Sequence, residues 1–91
     1  MNDPAVPASE LARLRQALDD LEAMPLLEQA RATPAVIDVA KEALARHRGA
    51  VFAALAGPGR PMTITGLAKE LGIGRGKVND SIAAWRASRA G

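Results

Sequence analysis

The chain has 91 residues, a formal net charge of +2, no cysteine and two aromatic residues, Phe52 and Trp85. A chain this short supports one small domain with a thin core, for which self-association is a natural supplement. The missing cysteines exclude disulfides and thiolate metal sites, and the near absence of aromatic and β-branched runs argues against a sheet protein.

Residues 1–8 hold Pro4 and Pro7 and are expected to form a flexible lead-in. This opening is polar and acidic, unlike a signal peptide. No stretch approaches the roughly 18 uninterrupted apolar residues of a membrane span, so the expected compartment is the cytoplasm. Ser9 then has the character of an N-cap, with Glu10 suited to the positive end of a helix. Leu11, Leu14, Leu18 and Leu21 follow at steps of three and four, with charged residues largely between them. Such a narrow stripe serves either a dimer seam or packing within its own chain. Pro25 ends this helix near Met24 and opens a short one.

Thr33-Pro34 repeats the start signal, Thr as N-cap and Pro at the first helical position. The helix expected next carries Val36, Ala40, Ala43, Leu44, His47, Val51 and Leu55 on one face. Gly49 weakens it and offers a point for a kink or break, and Gly57-Pro58-Gly59 ends it. Residues 9–56 thus read as a helical scaffold or dimerisation region. Arg60–Ile64 lacks helical periodicity and reads as a short extended arm leading to Thr65, the expected N-cap of the next helix.

Residues 57–91 carry the most informative pattern. Leu67-Ala68-Lys69-Glu70-Leu71 forms a short helix, Gly72-Ile73-Gly74 a turn, and Arg75 begins a second helix running through Trp85. Gly72 falls where a left-handed backbone is needed, and Ala68 is small where a second helix must cross closely. Leu67, Leu71, Ile73, Val78, Ile82 and Trp85 recur at helical spacings and are expected to close one core. Arg75, Gly76, Lys77, Asn79 and Asp80 remain at the start of the second helix, the part of a helix-turn-helix that enters the major groove. Arg and Lys pair with guanine, Asn pairs with adenine, and the glycines beside Arg75 let backbone amides approach a phosphate. Thr65, Arg60, Lys69 and Arg86 are candidate flanking phosphate contacts.

Charge is divided in the same sense. Residues 1–56 hold six Lys and Arg against eight Asp and Glu, whereas residues 57–91 hold six against two. The positive charge therefore gathers in the helix-turn-helix segment, as a polyanion partner requires.

Other chemistries find little support. GIGRGK has Val78 where a phosphate-binding loop places the magnesium-binding Ser or Thr, and no strand precedes it. Ser9, Ser81 and Ser88 have no evident base partner. His47 is the sole histidine, too few for a metal site without cysteine, and Asp19 and Asp20 point to different sides of a helix. No enzyme, cofactor, metal site or small-molecule effector is indicated.

LAKELGIGRGKVNDSIAAW resembles the tri-helical helix-turn-helix of bacterial transcription regulators. More narrowly, residues 51–90 resemble the N-terminal DNA-binding domain of KfrA-type plasmid proteins, with a Gly-Arg-Pro-Thr-like turn, the L-G-x-G turn and the closing Trp85-Arg86 pair. Kor-type plasmid repressors are the other relatives suggested. Two departures stand out. KfrA proteins continue into a long coiled coil, and Ser81 stands where phage-type repressors place an aliphatic residue.

The expectation is an all-α small helical bundle with a C-terminal tri-helical helix-turn-helix and no developed wing, the chain ending soon after Trp85. The expected function is a transcriptional repressor, a homodimer on a palindromic double-stranded DNA operator, with plasmid maintenance genes as candidate targets. The rivals are a protein–protein adaptor or partition accessory factor using the same surface, and a nonspecific nucleoid-associated protein.

Overall fold

The computed structural model describes residues 9–90, and the expected flexible N-terminus at residues 1–8 lies outside them. The described chain is all-α, with four helices: α1 (Ser9–Glu22), α2 (Leu26–Leu55), α3 (Ile64–Leu71) and α4 (Arg75–Ala90). They fall into two compact units, which divide inside α2 between Leu44 and Ala45. About three turns of α2 therefore belong with α3 and α4, making that unit tri-helical.

In the first unit α1 begins at Ser9 with Glu10 in its first turn. Pro25 precedes α2, and its carbonyl accepts from the Gln29 amide at 2.9 Å, while Gln29 Nε2 donates to the Met24 carbonyl at 2.9 Å. Leu11, Leu14 and Leu21 are half-buried and Leu18 is exposed.

The expected boundary at Thr33-Pro34 is absent, because α2 runs through Pro34. Thr33 caps nothing; its hydroxyl donates to the Gln29 carbonyl one turn back, at 2.7 Å. An interior proline costs roughly 3 kcal/mol, and α2 carries it within one continuous 30-residue helix.

Gly49 likewise does not break the helix. It is buried where α2 crosses α4, and a Cβ there would lie 2.5 Å from the Trp85 Cβ and collide with the Ser81 carbonyl. Glycine is required by the closeness of the crossing, which also explains why a small residue, Ser81, is buried on α4. In the second unit the buried side of α2 is Ala50, Phe52 and Ala53, with Ala56 buried just past its end, while Leu44 and Leu55, expected on the core face, are exposed.

α2 ends in a glycine turn, with Gly57 at φ 125° and Gly59 at φ 76°. The following residues fold back along the helix end. Met62 donates to the Leu55 carbonyl at 2.9 Å and accepts from the Gly57 amide at 3.0 Å. The expected arm is thus only a short bridge between Ala56 and Met62, and Ile64 already belongs to α3.

Thr63, not Thr65, is the N-cap of α3. It has extended backbone (φ −84°, ψ 161°), and its Oγ1 accepts from the Gly66 amide at 2.9 Å. Thr65 sits inside the first turn. At the other end Gly72 is left-handed (φ 68°) and donates to the Lys69 carbonyl at 3.3 Å, while the Ile73 amide donates to the Ala68 carbonyl at 3.1 Å. These paired bonds satisfy carbonyls that a helix end otherwise leaves open.

The turn brings Ile73 against the core of Ala50, Phe52, Leu67, Val78, Ile82 and Trp85. Leu71, expected in that core, stays 48% exposed at the end of α3.

Candidate nucleic-acid interface

α4 is fixed by its buried side. Val78, Ser81, Ile82 and Trp85 face inward, at the steps of three and four that define one face of a helix. Everything else on α4 with a described side chain is exposed, including Arg75, Gly76, Lys77, Asn79, Asp80 and Arg86. Arg60, Thr65 and Lys69 are exposed as well. Gly76 has no side chain; among the described residues, none of the other eight side chains makes a hydrogen bond or ion pair, so each is available to a partner.

Helical geometry sorts the residues on α4 into two flanks. Arg75 and Asn79 lie one turn apart, and Arg86 lies about three turns beyond Arg75 on the same side. Lys77 is two residues from both Arg75 and Asn79, about 200° round the helix from each. Asp80, three residues on, is its neighbour. The sequence pattern groups these polar residues together; the fold separates Lys77 and Asp80 from Arg75 and Asn79.

The Lys77 flank borders α2. Lys77, Asp80 and Ser81 line a groove of about 270 Å³ with Arg48, Phe52 and Ile73. Arg48 is exposed and is the residue that sequence reasoning missed. It lies far from the helix-turn-helix in the chain and reaches it only because Gly49, beside it, lets α2 cross so close to α4. The signal available was Gly49 itself, a buried glycine within a helix.

The start of α4 is open. The Lys77 and Val78 amides donate to the Gly74 carbonyl at 3.1 and 3.4 Å, and a Cβ added at Gly74 or Gly76 would meet nothing within 4 Å. The first amides of a helix have no partner within it and form its positive end. Here the Lys77 amide is taken by the Gly74 carbonyl, and Gly74 and Gly76 add no side-chain bulk beside the earlier amides of Arg75 and Gly76.

On α3, Thr65 and Lys69 are four residues apart and share one side; Arg60 lies in the turn before it, its amide donating to the Gly57 carbonyl at 3.1 Å. At the far end of α4 the Arg89 guanidinium lies over the Trp85 ring, 5.0 Å from its centroid, so Arg89 already has a partner. His47 is half-buried, and no group of three or more His, Cys, Asp or Glu suited to a metal occurs among the described residues. No helix among them is long and apolar enough to cross a membrane.

Compared with known proteins, the chain matches no family model, no curated protein and no solved structure.

Proposed function

We propose that the chain is a sequence-specific DNA-binding transcriptional repressor of the cytoplasm, working as a homodimer on a palindromic operator. Plasmid maintenance genes are the candidate targets. The observation that carries this reading is the juxtaposition of Arg75 and Asn79 on one exposed flank of α4, beside a helix start left open by Gly74 and Gly76. Arginine reads guanine and asparagine reads adenine through paired hydrogen bonds, and the amides at the helix start suit a phosphate. Lys77 and Arg48, on the other flank, have the chemistry of backbone contacts, which position a protein on DNA without reading it. One such helix reads too few base pairs for an operator, and two-fold pairing doubles the site.

The test is a fluorescence-anisotropy titration against the chain's own upstream promoter DNA, across a salt series and with scrambled competitor. Arg75→Ala and Asn79→Ala are expected to relax preference at particular base pairs, each by about 1–3 kcal/mol. Lys77→Ala and Arg48→Ala are expected to weaken all sequences alike and to lower the salt slope by about one each. Uniform loss from all four variants would remove base reading from α4. Binding that competitor abolishes in the wild type would remove sequence specificity.

A further inference from the structure

The part of α2 in the first unit carries more apolar surface than its own chain covers. Val36, Val39, Ala40 and Ala43 are half-buried or buried on one side. On another, Leu27 is 62% exposed, Ile37 48% and Leu44 52%, with Ala30 and Pro34 also exposed. Leu27, Ala30, Pro34, Ile37, Lys41 and Leu44 succeed one another at steps of three, four, three, four and three. That is the spacing of a seam that meets another helix.

We infer that this seam pairs with the same seam of a second copy, antiparallel and two-fold symmetric. The charges beside it select both partner and direction. When Leu27 of one copy faces Leu44 of the other, Pro34 faces Ile37, and Ala30 faces Lys41. The small Ala30 leaves room for the lysine stem, whose head reaches the rim. Arg31 and Asp38 occupy the same flanking position one heptad apart, so antiparallel pairing sets each Arg31 beside the other copy's Asp38, twice by symmetry.

Parallel pairing instead puts Lys41 against Lys41 and Pro34 against Pro34, and leaves Arg31 and Asp38 beside uncharged residues. Among the described residues Arg31 bonds the exposed Glu28, at 2.9 Å. A surface pair of that kind is weak and readily exchanged.

The inference rests on the proposed function only for its purpose, since it supplies the surface on which two DNA-reading chains would pair. Its test uses no DNA, so the two can fail separately. Sedimentation equilibrium of the full chain over a concentration series should show a monomer–dimer equilibrium. Ile37→Asp should raise the dissociation constant at least about tenfold while leaving the helical circular dichroism unchanged. R31D and D38R should each weaken the dimer, and the combined R31D/D38R chain should recover it, because every lost pair is remade with reversed sign. A wild type that stays monomeric at all concentrations overturns the inference. So does a dimer indifferent to Ile37→Asp, or an exchange without recovery.

Discussion

Residues 45–90 bury Phe52, Leu67, Val78, Ile82 and Trp85, whereas the described residues before them bury only Ala43 and expose Leu18, Leu26, Leu27, Ile37 and Leu44. The two regions use the same helical alphabet. They differ in how the backbone turns between helices. After Ala45, glycines at positive φ fold the chain sharply twice, at Gly57–Gly59 and at Gly72, and Gly49 lets a third helix press close. Three helices then share one core, and the polar residues of α4 are left to face outward. Before Leu44, two helices joined at Pro25 cannot enclose all their leucines. Residues 45–90 are completed by their own turns; the residues before them have an apolar face to spare.

Substitution should expose that difference most strongly at Trp85. Trp85→Ala removes the largest core side chain and is expected to cost about 3–5 kcal/mol, read as the urea midpoint by circular dichroism. Trp85→Phe should cost much less, because the buried indole Nε1 has no hydrogen-bond partner among the described residues to lose. Leu26, 85% exposed, makes the contrast: Leu26→Ala should change stability by no more than about 0.5 kcal/mol. Comparable losses at Trp85 and Leu26 would abolish the distinction between the regions.

A smaller effect separates two glycines. Intrinsic propensity favours alanine over glycine in a helix by about 1 kcal/mol, so both Gly49→Ala and Gly76→Ala would stabilise if propensity ruled. At Gly76 the space is open, and a gain of up to about 1 kcal/mol is expected. At Gly49 the added Cβ meets a backbone carbonyl and the Cβ of Trp85, neither of which swings aside. Overpacking there should reverse the sign, with a loss of about 1–3 kcal/mol. Trp85 fluorescence gives the unfolding transition for both. Equal shifts would mean that α2 and α4 are not locked at this crossing.

Which parts of this were legible in the sequence follows from whether their causes are local. The all-α class, the turn at Gly72, the burial of Ala68 and Trp85 and the exposure of Arg75 and Asn79 all follow from residue type and spacing within a few turns. Several of the differences fall where distant chain decides. Gly49 is a weak helix residue until α4 passes over it, and Leu71 fits the core spacing until Ile73 folds back against the core. Arg48 is distant from Lys77 in sequence and meets it only across the crossing of α2 and α4. Lys77 differs for a local reason: it is near Arg75 in sequence, but a rotation of about 100° per residue sets the two on different flanks of the helix.

The smallest effect concerns two threonines, one in each region. Sequence logic reads Thr33, which precedes Pro34, as a cap and Thr63 as part of an arm. The structure assigns the cap to Thr63, whose Oγ1 accepts from the Gly66 amide, and gives Thr33 a bond to a carbonyl of its own helix. The amide at Gly66 has no other partner within the first turn of α3, so Thr63→Ala leaves an orphan donor and should cost about 1 kcal/mol. The Gln29 carbonyl that receives the Thr33 hydroxyl already lies in a running helix. A hydroxyl bonded back in that way adds little and tends to bend the helix. Alanine also has the higher helix propensity, so Thr33→Ala should be neutral or stabilise by a few tenths of a kcal/mol. Thermal melts followed at 222 nm, the ordinary helical band, measure both variants. A loss at Thr33 matching that at Thr63 would restore a helix boundary at Pro34 and divide α2 in two.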